Sequence, residues 1–177
     1  LKIDRKYGDL LPFNYQYEQS AVIYRILAQA DTQYSSWLHE NGYLLHERKR
    51  FKLFCYSPFI FEKVRPLPEA GCLKIIGERA VWYISFIPEK STLEFIQGIF
   101  AHQSFSIGNK KYQVAFDVVG VEAISMPQLT EQMAFQAMSP ICVKLHEDNK
   151  TQYLSPDNPM FADGILKGLM ARYESIH

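Results

Sequence analysis

Apolar and polar positions along the chain recur with two periods, and each change of period marks a new element. LKIDRKY, at the amino terminus, alternates apolar with polar residues as a half-buried strand does, and GDLLPFN carries the turn residues that end it. From Tyr17 to Ala30 the period lengthens. Val22, Ile23, Ile26 and Leu27 recur at helical spacing, with Tyr24 and Arg25 elsewhere on the circumference, and predict a helix with one apolar face. Asp31 is placed to cap a short second helix, TQYSSWLHEN, and Gly42 to stop it, so His39 falls in its last turn. Phe51 to Phe61, FKLFCYSPFIF, is aromatic and alternating and predicts a strand, with Pro58 marking an edge or bulge. LKIIGE and AVWYISFIP predict two more, joined by a turn around Gly77 to Arg79. Ser91 to His102 reads as a helix with Ser91 as N-cap and Glu94 completing a capping box. FSIGNKKYQVAFDVVGVEAIS follows as a strand, a turn at Gly108-Asn109 and a long strand.

The resulting order, β, α with a helical extra, β, β, α, β, predicts an α+β chain whose residues 1–126 form a ferredoxin-like domain, the split βαβ or RRM-like arrangement. After the linker MPQLTEQ, MAFQAMSPICVKLHE predicts a strand region, DNK a turn and TQYLSP a short partner. PMFADGILKGLMARYESI then predicts a helix led in by Asp157-Asn158-Pro159. Residues 133–177 therefore read as the beginning of a second, tandem ferredoxin-like domain that is incomplete in this chain.

Composition changes this picture little. The 177 residues, 47% hydrophobic and 14% aromatic, allow a sizeable core in one large domain or two small ones. Nineteen basic residues balance nineteen acidic ones, so no protein-wide field attracts nucleic acid and any such role rests on local clustering. Cys55, Cys72 and Cys142 form no C-x-x-C pair and lie among apolar residues, the usage expected of a reducing, cytoplasmic compartment. No apolar run approaches the roughly 20 residues that span a bilayer, and LKIDRKYGD has no signal-peptide core, so no membrane partner is expected. The chain opens at Leu1 without a methionine and closes just past a helix, as a piece of a longer product would.

Local charge gathers in YSSWLHENGYLLHERKRFKLF. His39 and His46 lie seven apart across a glycine with no paired cysteine or carboxylate at a familiar spacing, so neither a metal nor another cofactor is expected. No glycine-rich phosphate signature and no nucleophile motif occurs in the chain. By residue type alone, a helical histidine such as His39 is most often a surface or capping residue, Tyr24 a packing residue and Lys52 a solvated strand position. The sharper reading is a phosphate site. Arg48, Lys49, Arg50 and Lys52 face one acid, Glu47, and such cations neutralise backbone phosphates; Tyr43, Phe51, Phe54 and Tyr56 interleave with them. A histidine near pKa 6.5 beside cations suits proton transfer from an RNA 2′-hydroxyl, and His39 and His46 both remain candidates for it.

LPFNYQYEQSAVIYRIL, WLHENGY and FKLFCYSPF together resemble the amino-terminal half of the CRISPR-associated endoribonucleases that cut precursor CRISPR RNA within its repeats, members of the RAMP superfamily. MSPICV and the helix ending ARYESIH are similar to the opening of that family's second domain. The resemblance implies two ferredoxin-like domains and a metal-independent catalytic triad of Tyr24, His39 and Lys52; it leaves His46, Arg48, Lys49 and Arg50 as the RNA contacts that the local charge suggests. It implies attack of a ribose 2′-oxygen on phosphorus, a 2′,3′-cyclic phosphate product and mature CRISPR RNA. CRISPR repeat RNA is the implied partner, with effector-complex subunits and a homodimer among the assemblies the family admits. The alternative in the same superfamily is a non-catalytic RNA-binding subunit of a CRISPR effector complex. The family's glycine-rich loop near the end of the second domain has no counterpart before His177.

Overall fold

Val22, Ile23, Ile26 and Leu27 bury completely or nearly so, and that face carries the helix α1, Gln16–Ala30. Asp31 ends α1 in extended conformation, and its Oδ1 accepts the Tyr34 N–H at 2.8 Å at the start of α2, Thr32–Glu40. That bond is the largest cause holding the Asp31 carboxyl below its usual pKa. Gly42 has φ +65, where a side chain is strained, and a Cβ there would lie 2.6 Å from the Phe51 carbonyl oxygen. The structure is a computed structural model that describes residues 1–45, 49–147 and 150–176. Its chain divides into two compact units, Leu1–Glu40 with Phe54–Gln128, and Asn41–Leu53 with Leu129–His177.

The first unit is built on an antiparallel sheet with strand order 104–108, 113–120, 2–7, 79–81, 60–61. Ile3 lies at its centre, opposite Val118 on one side and Ala80 on the other, and is fully buried. Phe59, Trp82, Phe105 and Phe116 form an aromatic cluster with centroids 5.2 to 6.3 Å apart. α1 packs against the strand 104–108 and against α3, Glu89–Ala101. A three-stranded sheet of 10–12, 72–75 and 64–67 and a two-stranded pair of 54–56 with 84–86 complete this unit. In the second unit, strands Val143–Glu147 and Lys150–Leu154 form a hairpin, and α4, Met160–Glu174, packs on the first of them and on Tyr43–Leu45. The chain is thus mixed α+β with antiparallel sheets and, among the described residues, four helices.

Several local expectations change. GDLLPFN contains a strand, Leu10–Pro12, because its backbone pairs with Cys72–Ile75. Phe51 to Phe61 is not one strand. Leu53 turns it with φ +54, Phe54–Tyr56 pairs with Ile84–Phe86, and Ile60–Phe61 joins the main sheet after Pro58. Alternation records faces, not partners, so the break was not readable from it. Ser91 is no N-cap: α3 begins two residues earlier, and Ser91 is fully buried in a short hydrogen bond with the Tyr34 hydroxyl. Cys72 is buried, but Cys55 and Cys142 are exposed.

Gly98 is where α3 meets α1. A Cβ there would lie 1.9 Å from the Ile26 carbonyl oxygen, a backbone atom that cannot step aside. Gly98→Ala gains roughly 1 kcal/mol of helix propensity but forces the helices apart, at about 1–3 kcal/mol or more for overpacking. Denaturant unfolding should therefore show a less stable variant. Equal or greater stability would mean that α1 and α3 are less closely packed than this.

Candidate active site

A single residue, Asp31, separates α1 from α2, and the two helices pack side by side. The Ser35 hydroxyl on α2 donates to the Tyr24 carbonyl at 2.8 Å and pins one helix to the other. His39 lies one turn beyond Ser35, on the same face of α2. The imidazole meets the Tyr24 ring edge-on, with centroids 4.9 Å apart and planes 82° apart. Phe54 also meets Tyr24 edge-on, at 5.6 Å, and is itself stacked with Tyr56 at 6.3 Å.

This packing sets the protonation of the tyrosine. Tyr24 is half-buried, and burial first, then the neighbouring Tyr56, pushes its hydroxyl up to about 12. It remains a neutral hydroxyl, able to donate a hydrogen bond, throughout the physiological range. His39 is exposed at the helix end, where a ligand can reach it. The pair therefore offers a proton-transfer group and a hydrogen-bond donor side by side.

The cationic candidates belong to the second unit. Lys49–Phe51 pairs antiparallel with Tyr43–Leu45, leaving Lys49 and Arg50 exposed, Arg50 opposite Leu44. Lys52 follows this strand and is half-buried; burial first, then the Arg50 charge, lowers its ammonium pKa. Buried Leu53 holds a left-handed backbone just after it, and the Arg172 guanidinium lies 5.3 Å over the Phe51 ring. His46 and Arg48 lie outside the described residues.

Of the residues singled out from sequence, the structure brings Tyr24 together with His39, and gathers Lys49, Arg50 and Lys52 in the other unit. Ser35 was not anticipated as a neighbour of the site, and Phe54, expected among the aromatics interleaved with the cations, meets Tyr24. Ser35 could have been found as the position one turn before His39 on a helix capped by Asp31. Among the described residues there is no cluster of three or more His, Cys, Asp or Glu that could hold a metal, and no helix long and apolar enough to cross a membrane.

Sequence models of the N-terminal and C-terminal domains of the CRISPR-associated protein Cas6 match residues 10–117 and 124–177. The endoribonuclease-like protein Cas6nc of Pyrococcus horikoshii is 26% identical over 97% of this chain and 67% of its own length. The CRISPR-associated endoribonuclease Cas6 1 of Methanocaldococcus jannaschii is 26% identical over 95% of this chain and 62% of its own. This chain thus spans about two thirds of the length of the curated relatives it matches. A solved structure described as a RAMP protein binding different RNA substrates superposes with a TM-score of 0.76 at 25% identity, covering 99% of this chain and 69% of that one.

Proposed function

The chain belongs to the Cas6 family of CRISPR-associated proteins, and from that premise we propose that it is an endoribonuclease that cuts CRISPR repeat RNA without a metal ion. The observation that carries this reading is the edge-on pairing of His39 with Tyr24 on two pinned helices. In the proposed step the 2′-oxygen at the cut site attacks the adjacent phosphorus and loses its proton, and the P–O5′ bond breaks. The products are a 2′,3′-cyclic phosphate and a 5′-oxygen that leaves as a hydroxyl after taking a proton.

His39 is the general base or general acid of this step. Tyr24 donates to the same phosphate, and Lys52 holds the charge that grows on its non-bridging oxygens. Lys49 and Arg50, with His46 and Arg48, contact the RNA backbone. The strand order of the first unit, fourth-first-third-second when the hairpin strand 104–108 is set aside, supports a ferredoxin-like domain there. Residues 133–177 are then the opening strands and helix of a second such domain.

The test is incubation with the repeat RNA of the same genome in EDTA, followed by mapping of the product ends. Cyclic-phosphate ends, and no cleavage when the ribose at the cut site is 2′-deoxy, are expected. Binding without cleavage would leave the non-catalytic RNA-binding subunit as the reading. Ser35 is a positioning residue in this scheme. Ser35→Ala should lower the turnover rate several-fold with RNA affinity unchanged, since the lost bond is worth roughly 1 kcal/mol. Ser35→Thr, which keeps the hydroxyl, should restore it; a loss confined to thermal stability would refute the positioning role.

A further inference from the structure

At the turn end of the hairpin 104–120, a cleft of about 670 Å³ opens in the first unit. Tyr7, Gly8 and Asp9 line it together with Lys110, Lys111 and Tyr112. None of its lining belongs to α1 or α2, so it is distinct from the Tyr24–His39 pair. Its shape is held by backbone. Gly8, at φ +75, approaches Gln113 so closely that a Cβ would lie 2.2 Å from the carbonyl oxygen, and Gly108, at φ +126, is as tight against Tyr112. Asn109 Oδ1 accepts the N–H groups of Lys111 and Tyr112 at 2.8 and 2.9 Å and fixes the turn.

The chemistry of the walls is uneven. Lys110 and Lys111 are exposed, and the one acid in the lining, Asp9, is engaged by Lys74 at 3.5 Å. Tyr7 is 72% exposed, and the Lys111 ammonium lies 4.8 Å over the Tyr112 ring. An exposed ring beside an excess of cations in a preformed open cleft is what a single nucleic-acid strand uses: ammonium groups neutralise phosphates, and a ring stacks on a base whatever its identity. The volume lies within the roughly 300–1,000 Å³ of ordinary ligand sites, room for one or two nucleotides.

We infer that this cleft is a second RNA subsite, in which Lys110 and Lys111 hold phosphates of a single-stranded segment and Tyr7 stacks on one of its bases. The identity of the strand rests on the cleavage reading above; the chemistry of the cleft does not. The probe is the CRISPR repeat of the same genome as RNA with every ribose 2′-O-methylated, so that its own 2′-oxygens cannot attack, titrated against the chain over a salt series.

Lys110→Ala with Lys111→Ala should weaken binding about tenfold or more and reduce the slope of log affinity against log salt by about 1.4, two phosphate contacts at roughly 0.7 each. Tyr7→Ala should weaken binding about tenfold, and Tyr7→Phe should not, because stacking needs the ring alone. Wild-type affinity and salt slope in the double-lysine variant overturn the inference. If the wild-type chain still cuts repeat RNA in that case, the cleavage reading survives alone. If instead the cleft variants lose affinity while no form cuts RNA, the cleft stands and the cleavage reading falls.

Discussion

His39→Ala should reduce cleavage of repeat RNA by roughly a hundred- to ten-thousandfold, the contribution of one positioned proton transfer, and leave RNA affinity within a few-fold of wild type. The split between rate and affinity follows from where the residue stands. His39 is exposed at the end of α2 and its ring packs against Tyr24, so removing the imidazole opens no core cavity and removes no fixed cation. Affinity should depend instead on phosphate contacts elsewhere in the chain. His46→Ala is the necessary companion, since both histidines suit the chemistry by type. It should change the rate by no more than a few-fold, and the reverse ranking would transfer the proton-transfer role to His46. An unchanged rate in both variants, in EDTA, would remove both candidate histidines from the proton-transfer role.

What placed His39 at the end of α2 was local. Asp31 before an apolar-periodic segment and Gly42 after it bracket α2, and both act as their types suggest, one accepting the Tyr34 N–H and the other adopting φ +65. Once both ends of α2 were placed, His39 had to fall in its last turn. That its ring would meet Tyr24 was legible only as a consequence of two helices joined through one residue. The Ser35 bond that sets their pairing depends on side-chain geometry that periodicity does not encode.

The parts that were not legible share a cause: they depend on which segment pairs with which. Ser91 looks like a cap because a serine three residues before a glutamate usually is one. Its actual partner, the Tyr34 hydroxyl, is 57 residues away in sequence. The aromatic run from Phe51 to Phe61 serves three different pairings, and nothing in its alternation says so. Lys110 and Lys111 carry no signal in the hydrophobic pattern, and only the folded hairpin brings them with Tyr7 to one cleft.

Lys52 should be as costly to lose as the histidine, and its pH dependence separates it from its neighbours. In the proposed step Lys52→Ala removes a fixed cation from the developing phosphate charge, with an expected effect of roughly a hundred- to a thousandfold on the rate. Burial, with Arg50 beside it, lowers the pKa of Lys52 from the usual lysine value of 10.5. The charged form is the useful one, so activity falls as pH rises through that lowered pKa, and kcat/KM, which reports the free enzyme, should show an alkaline limb below 10.5. In kcat the limb should lie higher, because a bound phosphate favours the ammonium form. Tyr24 cannot produce this limb, since its hydroxyl is held near 12. Lys52→Arg tests the assignment directly: the guanidinium keeps its charge at every accessible pH, so the alkaline limb should vanish from kcat/KM even where the altered shape lowers the rate. A limb that persists unchanged in Lys52→Arg would mean that a group other than Lys52 sets it.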